Sequence, residues 1–504
     1  MLRALLFLLT ASLWAVCPAH AEWRRSVTPH FIVYSEGPEA SLRQFAERLE
    51  RFDGLLRMLS PGLADTQSSV KLQVFMIERE SRLERLTGSR YIAGYYQPSV
   101  AGPIAVALAN TRDTVFTPES ILFHEYAHHF MYQNHTAAYP SWFVEGYAEF
   151  YATTQIAPNG SIRLGGIPEY RHYERNYDGV SLRRLLLANP WERRSGYFTY
   201  SDAWYLIHFF TFNRDRDGQL RRYLNLLAAG RPAEVAATEA FGDIGRLTAE
   251  FGSHRRNPAL DVLEINFASA PPLPPISIEP LNEAEGEVQW YRLRYRWIFR
   301  DDERDGSADL ARDLRARAAA APTDPATLQL LADAEHLADN RDAAMRAIDR
   351  LLELQPQSPR ALLRKGLLEI DALADAEVTD EARWRTARRW IVRANHGAPD
   401  DPLILQSYYQ SFVRQGVPPP DAAANGLIRA FELVPQDFRL RVELAEWMIG
   451  RRRHSEAMTL LSPVAFSAHR NDLAERARAL AEQIQGIADG AEPRPAPPAE
   501  PARR

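Results

Sequence analysis

The chain carries a single cysteine in 504 residues, Cys17, and it lies inside the first apolar stretch. A disulfide framework is therefore excluded. An excess of one charge is also missing. Lys and Arg number 60 against 65 Asp and Glu, a net of -5, and no basic run carries interleaved aromatics. This balance argues against a general nucleic-acid binder and gives no electrostatic hint of a substrate. Beyond the first residues no apolar run is long enough to cross a bilayer. At this length two or more domains are expected.

What is present begins with a leader. Met1-Leu2-Arg3, the apolar ALLFLLTASLWAV and the small-x-small Ala19-His20-Ala21 are the three parts of a secretory signal peptide. Residues 1–21 are read as that signal, and the mature chain as exported, periplasmic or secreted. Val16 and Trp14 are too bulky for Cys17 to read as a lipid-anchor site.

Downstream, SVTPHFIVYS (Ser26–Ser35) contains a strand, SLRQFAERLERFDGLLRML an amphipathic helix, and VKLQVFMI a second strand. RYIAGYYQPSVAGPIAVAL reads as two more strands joined by turn residues, with Pro103 marking the later one as an edge. Helices then dominate to about Phe251. Strands first and helices afterwards indicate an α+β domain over 22–256. Residues 257–287, with SAPPLPPISIEP, read as a Pro-rich connector or extended arm. From 288 to 488 the pattern is helical and repeats. PTDP at Pro322 returns 34 residues later as PQSP at Pro356, then as PDDP at Pro399 and PQDF at Pro435. That period resembles tetratricopeptide repeats, three or four in number. Ala334, Ala344 and Ala347 supply the small residues that closely crossing helices need. The tail at 489–504 is Pro-rich and read as disordered.

The chemistry-bearing stretch is FHEYAHHFMYQNHTAAYPSWFVEGYAEF, Phe123–Phe150. On a helix, His124 and His128 share a face and can both reach one ion at the roughly 2 Å that zinc requires. Glu125 is then directed near the open coordination position, where it can take a proton from water and return it to a leaving amine. Glu145 follows His128 by 17 positions, room for the helix to end, turn at Tyr139-Pro140 and return with Ser141 as N-cap. It is the candidate third ligand. Glu149, one turn on, can accept the second N–H of a ligand histidine. His129 points about 100° from the ligand face and is read as packing or surface, and His208 in YLIHFF as a hydrogen-bonded core residue.

HEYAH followed by WFVEGYAEF resembles the gluzincin metallopeptidases of thermolysin and aminopeptidase type, and most nearly the peptidase-MA-like proteins of bacterial envelopes. The resemblance covers about Ser26 to Gly252. It implies an α+β thermolysin-like zincin catalytic domain, followed here by an all-α tetratricopeptide-like helical repeat domain. It also implies one Zn2+ held by His124, His128 and Glu145, Glu125 as general base, and Glu149 behind the ligands. TYSDAWYLIHFF resembles the segment in which a tyrosine opens a helix and donates to the oxyanion; Tyr200 matches it, with Tyr197 as a rival. Gly102 and Ile104, on the expected edge strand, would bind an extended peptide by strand addition. No acidic residue between Ser99 and Leu108 is available to grip a free N-terminus, which favours cutting inside chains. The expected partners are a peptide or protein substrate and a protein on the repeats, with no nucleic acid. The alternative is a repeat scaffold whose metal domain binds but turns over little.

Overall fold

The computed structural model describes residues 23–60, 70–109, 117–134, 139–169, 181–187, 199–266, 273–300, 306–465 and 472–488. The expected signal, the Pro-rich tail and Tyr197 lie outside these residues.

Runs of β-branched and aromatic residues form the main sheet. β1 (Arg24–Val27) and β2 (Phe31–Ser35) make an antiparallel hairpin, and β3 (Leu72–Ile77), β4 (Gly94–Gln97) and β5 (Ile104–Leu108) follow. A separate small sheet is built from β6 (Gln155–Ile156), β7 (Ile162–Leu164) and β8 (Leu263–Ile265). Finally β9 (Ser277–Pro280) returns to pair with β1, completing the order β4-β5-β3-β2-β1-β9. β2, β3 and β5 run parallel and the outer pairs antiparallel. The period of two sorts the side chains. Val74, Met76, Ala105 and Ala107 enter one core, and Phe75, Ile77, Ile104 and Val106 the other.

A sheet buried on both faces needs a helical layer on each. α1 (Glu39–Leu59) lies on the first face, α2 (Glu80–Thr87) on the second. α3 (Pro118–Asn134) also packs on the first face, and α4 (Ser141–Ala152), α5 (Leu182–Leu187), α6 (Tyr200–Phe212), α7 (Gln219–Ala228), α8 (Ala233–Phe241) and α9 (Ile244–Arg256) extend the same core behind it. The second is covered by α10 (Glu283–Arg300), whose Trp290, Leu293 and Trp297 lie against it at helical spacing. The other side of α10, with Val288, Tyr291, Tyr295 and Ile298, packs on the repeats. The expected boundary at 287 thus falls inside a helix that both regions share, and the Pro-rich connector supplies two strands.

Three more sequence expectations are corrected. The strand with Pro103 is no edge: β5 lies between β3 and β4, and the outer strand is β4. Ile104 is buried with Gln73 on one side and Gln97 on the other, and the carbonyl of Gly102 accepts from Arg296 Nη2 at 2.7 Å. Neither offers a backbone to a peptide. Pro103, just before β5, is tolerated because it lends the ladder only its carbonyl, which accepts from the N–H of Gln73 at 3.1 Å. Ser141 is the first residue of α4; the N-cap position belongs to Pro140, which makes no side-chain cap.

The repeat turns become helix starts. After α11 (Ser307–Ala320) come the pairs α12 (Pro325–Leu337) with α13 (Arg341–Leu354), α14 (Pro359–Asp375) with α15 (Glu381–Gly397), and α16 (Pro402–Gln415) with α17 (Asp421–Leu433). A fourth pair, α18 (Phe438–Gly450) with α19 (His454–Ala465), precedes α20 (Asp472–Ala488). Asp324, Asp401 and Asp437 cap α12, α16 and α18 through their carboxylates, and proline opens α12, α14 and α16, where its missing N–H costs nothing. Ala334 and Ala344 are fully buried where helices cross.

Among the described residues, the repeats return to the sheet domain around the start of α18. Val100 donates its N–H to Asp437 Oδ2 at 2.5 Å, and Arg441 Nη2 donates to the carbonyl of Tyr132 at 2.8 Å. Val70 and Val100 join the apolar core of α16–α20. No helix among the described residues is long and apolar enough to cross a membrane.

Candidate metal centre

Two helices from the EYAHH and EGYAE segments build the site. α3 buries Phe123, Tyr126, Ala127 and Phe130 against the sheet, which turns His124 and His128 toward α4. α4 in turn packs on α6 at very short range. A Cβ at Gly146 would lie 2.6 Å from the carbonyl oxygen of Ala203, so only glycine fits between Glu145 and Tyr147. That contact brings Glu145, Glu149 and the start of α6 to the two histidines.

His124 Nε2 and His128 Nε2 are 3.1 Å apart, and Glu145 Oε2 lies 3.6 Å from the first and 3.5 Å from the second. Tetrahedral donors about 2.0–2.1 Å from zinc stand about 3.3 Å from one another, so the three atoms fit one ion. The donor set is also chemically right, two imidazoles and one carboxylate with room for water. Burial pushes His124 down, but Glu145, Glu149 and Glu125 outweigh it and lift the imidazole to about 9. Burial pushes Glu145 up, and His128 and His124 more than reverse this, holding it well below the carboxylate range. A cation bound there therefore displaces a proton, and acid competes with it.

The surrounding residues differ in how they hold the ligands. Glu149, buried, approaches Nδ1 of His124 to 3.5 Å. Tyr200 opens α6 behind Thr199, whose hydroxyl accepts from the N–H of Asp202, and its ring centre stands 6.4 Å from that of His124. Glu125 lies outside the ligand set, within electrostatic reach of both His124 and Tyr96. His129 is a packing residue: Tyr96 OH and His129 Nδ1 share a 2.8 Å hydrogen bond, which ties β4 to α3, and burial lowers the imidazole to about 3. His208 is a core histidine, bonded to His254 and to the carbonyl of Asp261. Gly102 and Ile104 are not brought to the site.

Sequence reasoning missed a second cluster behind α3. His30 Nδ1 lies 2.8 Å from Glu50 Oε2 and 3.4 Å from Asp53 Oδ2, and Tyr126 and Arg57 each donate to Asp53 at 2.7 Å. Arg57 already supplies the positive charge there, so the cluster reads as an anchor of α1 to the metal helix.

No family model and no curated protein matches the chain. Solved structures match part of the chain. TTC0263, a thermophilic TPR protein in Thermus thermophilus, is 18% identical over 38% of this chain and 94% of its own, with a TM-score of 0.31. PilF of Pseudomonas aeruginosa is 14% identical over 41% and 95%, at 0.30. MamA residues 41 to the end from Desulfovibrio magneticus RS-1 are 18% identical over 35% and 92%, at 0.25. These scores are too low to support a common fold, and the repeat architecture stands on its own helix pairs.

Proposed function

We propose that the chain is an exported zinc-dependent peptidase mounted on a helical-repeat scaffold for protein partners. The observation that carries this reading is the convergence of His124, His128 and Glu145 at 3.1–3.6 Å, beside a Glu125 left outside the ligand set. Zinc held there supplies a Lewis acid that polarises a carbonyl and makes water acidic enough to act near neutral pH. Glu125 takes the proton from the attacking water and delivers it to the departing amine as the C–N bond breaks. The Tyr200 hydroxyl donates to the oxygen on which charge develops. Glu149 holds the Nδ1–H of His124 and with it the tautomer whose Nε2 is free to bind. A purely structural zinc site has no use for Glu125 and fills its fourth position with protein. The outer strand β4, not β5, is the edge that an extended substrate would extend.

A second reading, a repeat scaffold that keeps its metal domain for binding with little turnover, rests on the helix pairs α12–α19. Metal analysis followed by peptide cleavage separates the two. The expected result is one zinc per chain in both wild type and Glu125→Gln, with cleavage by the wild type alone. Zinc in both with cleavage in neither supports the scaffold. A chain that takes up no zinc overturns the metal reading.

A further inference from the structure

The two imidazoles of the centre are not supported alike. His124 has a carboxylate behind it, since Glu149 Oε1 lies 3.5 Å from its Nδ1. His128 has none: its Nδ1 is buried and, among the described residues, lacks a hydrogen-bond partner. A ligand histidine without such an acceptor has nothing polar to fix its ring angle. What lies against it is Tyr132, one turn further along α3, with ring centres 6.2 Å apart and planes within 16° of parallel. That is an offset stack, a geometry in which the two rings constrain each other.

Tyr132 is in turn held from the repeats. Phe438, the first residue of α18, meets it edge-on with ring centres 4.7 Å apart and planes at 80°. The Tyr132 carbonyl, near the C-terminal end of α3, accepts from Arg441 Nη2 at 2.8 Å. Arg441 is fully buried and also donates to the carbonyl of Pro435. Asp437 fixes the register of this turn by accepting from both Leu440 and Val100. A chain of contacts thus runs from the fourth helix pair, through Tyr132, to one ligand of the centre.

We propose that Tyr132, Phe438 and Arg441 are positioning residues for His128, so that the repeat domain completes the metal centre from outside the domain that carries its ligands. The inference rests on the metal reading given above. Losing Phe438 frees the Tyr132 ring and losing Arg441 loosens the end of α3 that carries it, so His128 gains rotational freedom and zinc is bound less tightly without any ligand being changed.

Zinc affinity, measured on the full chain by competition with a chromophoric chelator, tests this. The variants are Tyr132→Leu, Tyr132→Phe, Phe438→Ala, Phe438→Tyr and Arg441→Met, each shown to melt cooperatively. Tyr132→Leu, Phe438→Ala and Arg441→Met are expected to bind zinc about tenfold more weakly, the scale of an outer-shell loss. Cobalt loaded in their place should show an altered visible spectrum. Tyr132→Phe and Phe438→Tyr keep the ring contact and should stay within about twofold of wild type. Should Phe438→Ala fail to fold, Tyr132→Leu and Arg441→Met decide. Folded Tyr132→Leu and Arg441→Met with wild-type zinc affinity and cobalt spectrum would overturn the inference while leaving the metal reading intact. A wild type that takes up neither metal removes both.

Discussion

The sheet domain and the repeats bury polar side chains in different ways. In the first, His128, Glu145 and Glu149 are buried side by side on two adjacent helices and face one point with His124. In the second they are spread out, and several are paired with a neighbouring helix. Glu335 accepts from Arg315 and Asn340, and Arg388 donates to the hydroxyl and carbonyl of Ser411. Dispersed and paired polar groups set the register between neighbouring helices. His124, His128 and Glu145 instead bring three potential ligand atoms to one point. The contrast separates structural polarity from a site without any appeal to motif.

Four changes sharpen or break this division, beginning with the largest effect. Trp384→Ala empties a buried position on α15 and strips the carbonyl of Val378 of its indole donor. A loss of about 3–5 kcal/mol is expected in denaturant melts. The zinc content of the folded fraction should be unchanged; zinc lost together with stability would mean that the two regions are not separable. Metal removal is the mirror experiment. With zinc at about a hundred times its dissociation constant, chelation should cost about 3 kcal/mol. Hydrogen exchange should quicken along α3 and α4 and stay constant along α14.

Gly146→Ala comes next, because its new methyl meets the Ala203 carbonyl and pushes α4 from α6. About 1–3 kcal/mol and weaker zinc binding are expected together, read by melting and chelator competition. The smallest effect concerns His30 and Glu50. Burial pushes Glu50 up, but hydrogen bonds from His30 and Thr28 hold it below its usual 4.5, so its contribution is present above about pH 4.5 and lost in acid. Burial pushes His30 down, but Glu50 and Asp53 hold it above its usual 6.5, so its contribution is full below about pH 6.5 and drains away at higher pH. The two overlap between about 4.5 and 6.5, where Glu50→Gln should cost about 1–2 kcal/mol, less on either side. A flat difference across pH 4 to 9 would show that the cluster does not act as an ion pair.

The spacing of His124, His128 and Glu145 was legible because each relation is local. One helical turn sets the first pair, and a short helix–turn–helix sets the third. The recurring PTDP, PQSP, PDDP and PQDF turns were legible for the same reason, each being a run of adjacent residues. Which strand forms the edge was not, because β5 pairs on one side with β3, about 31 positions earlier, and Pro103 mimics an edge signal while lending the ladder only its carbonyl. The place of α10 was hidden by its two apolar faces, one read as a repeat and the other covering the sheet. Tyr132 could have been picked from its spacing of four after His128. Phe438 and Arg441 could not, being some 300 positions away with no pattern to link them.

β9 pairs at the opposite border of the sheet from β4, and the helices that follow it come back to α3 through α18. The repeats are thus pinned at both ends of a span, like an arch on two abutments. An arm fixed at one shoulder swings when pulled, whereas an arch can only change its curvature. Load on the middle helices is therefore carried to its footings, and one of those footings stands beside His128.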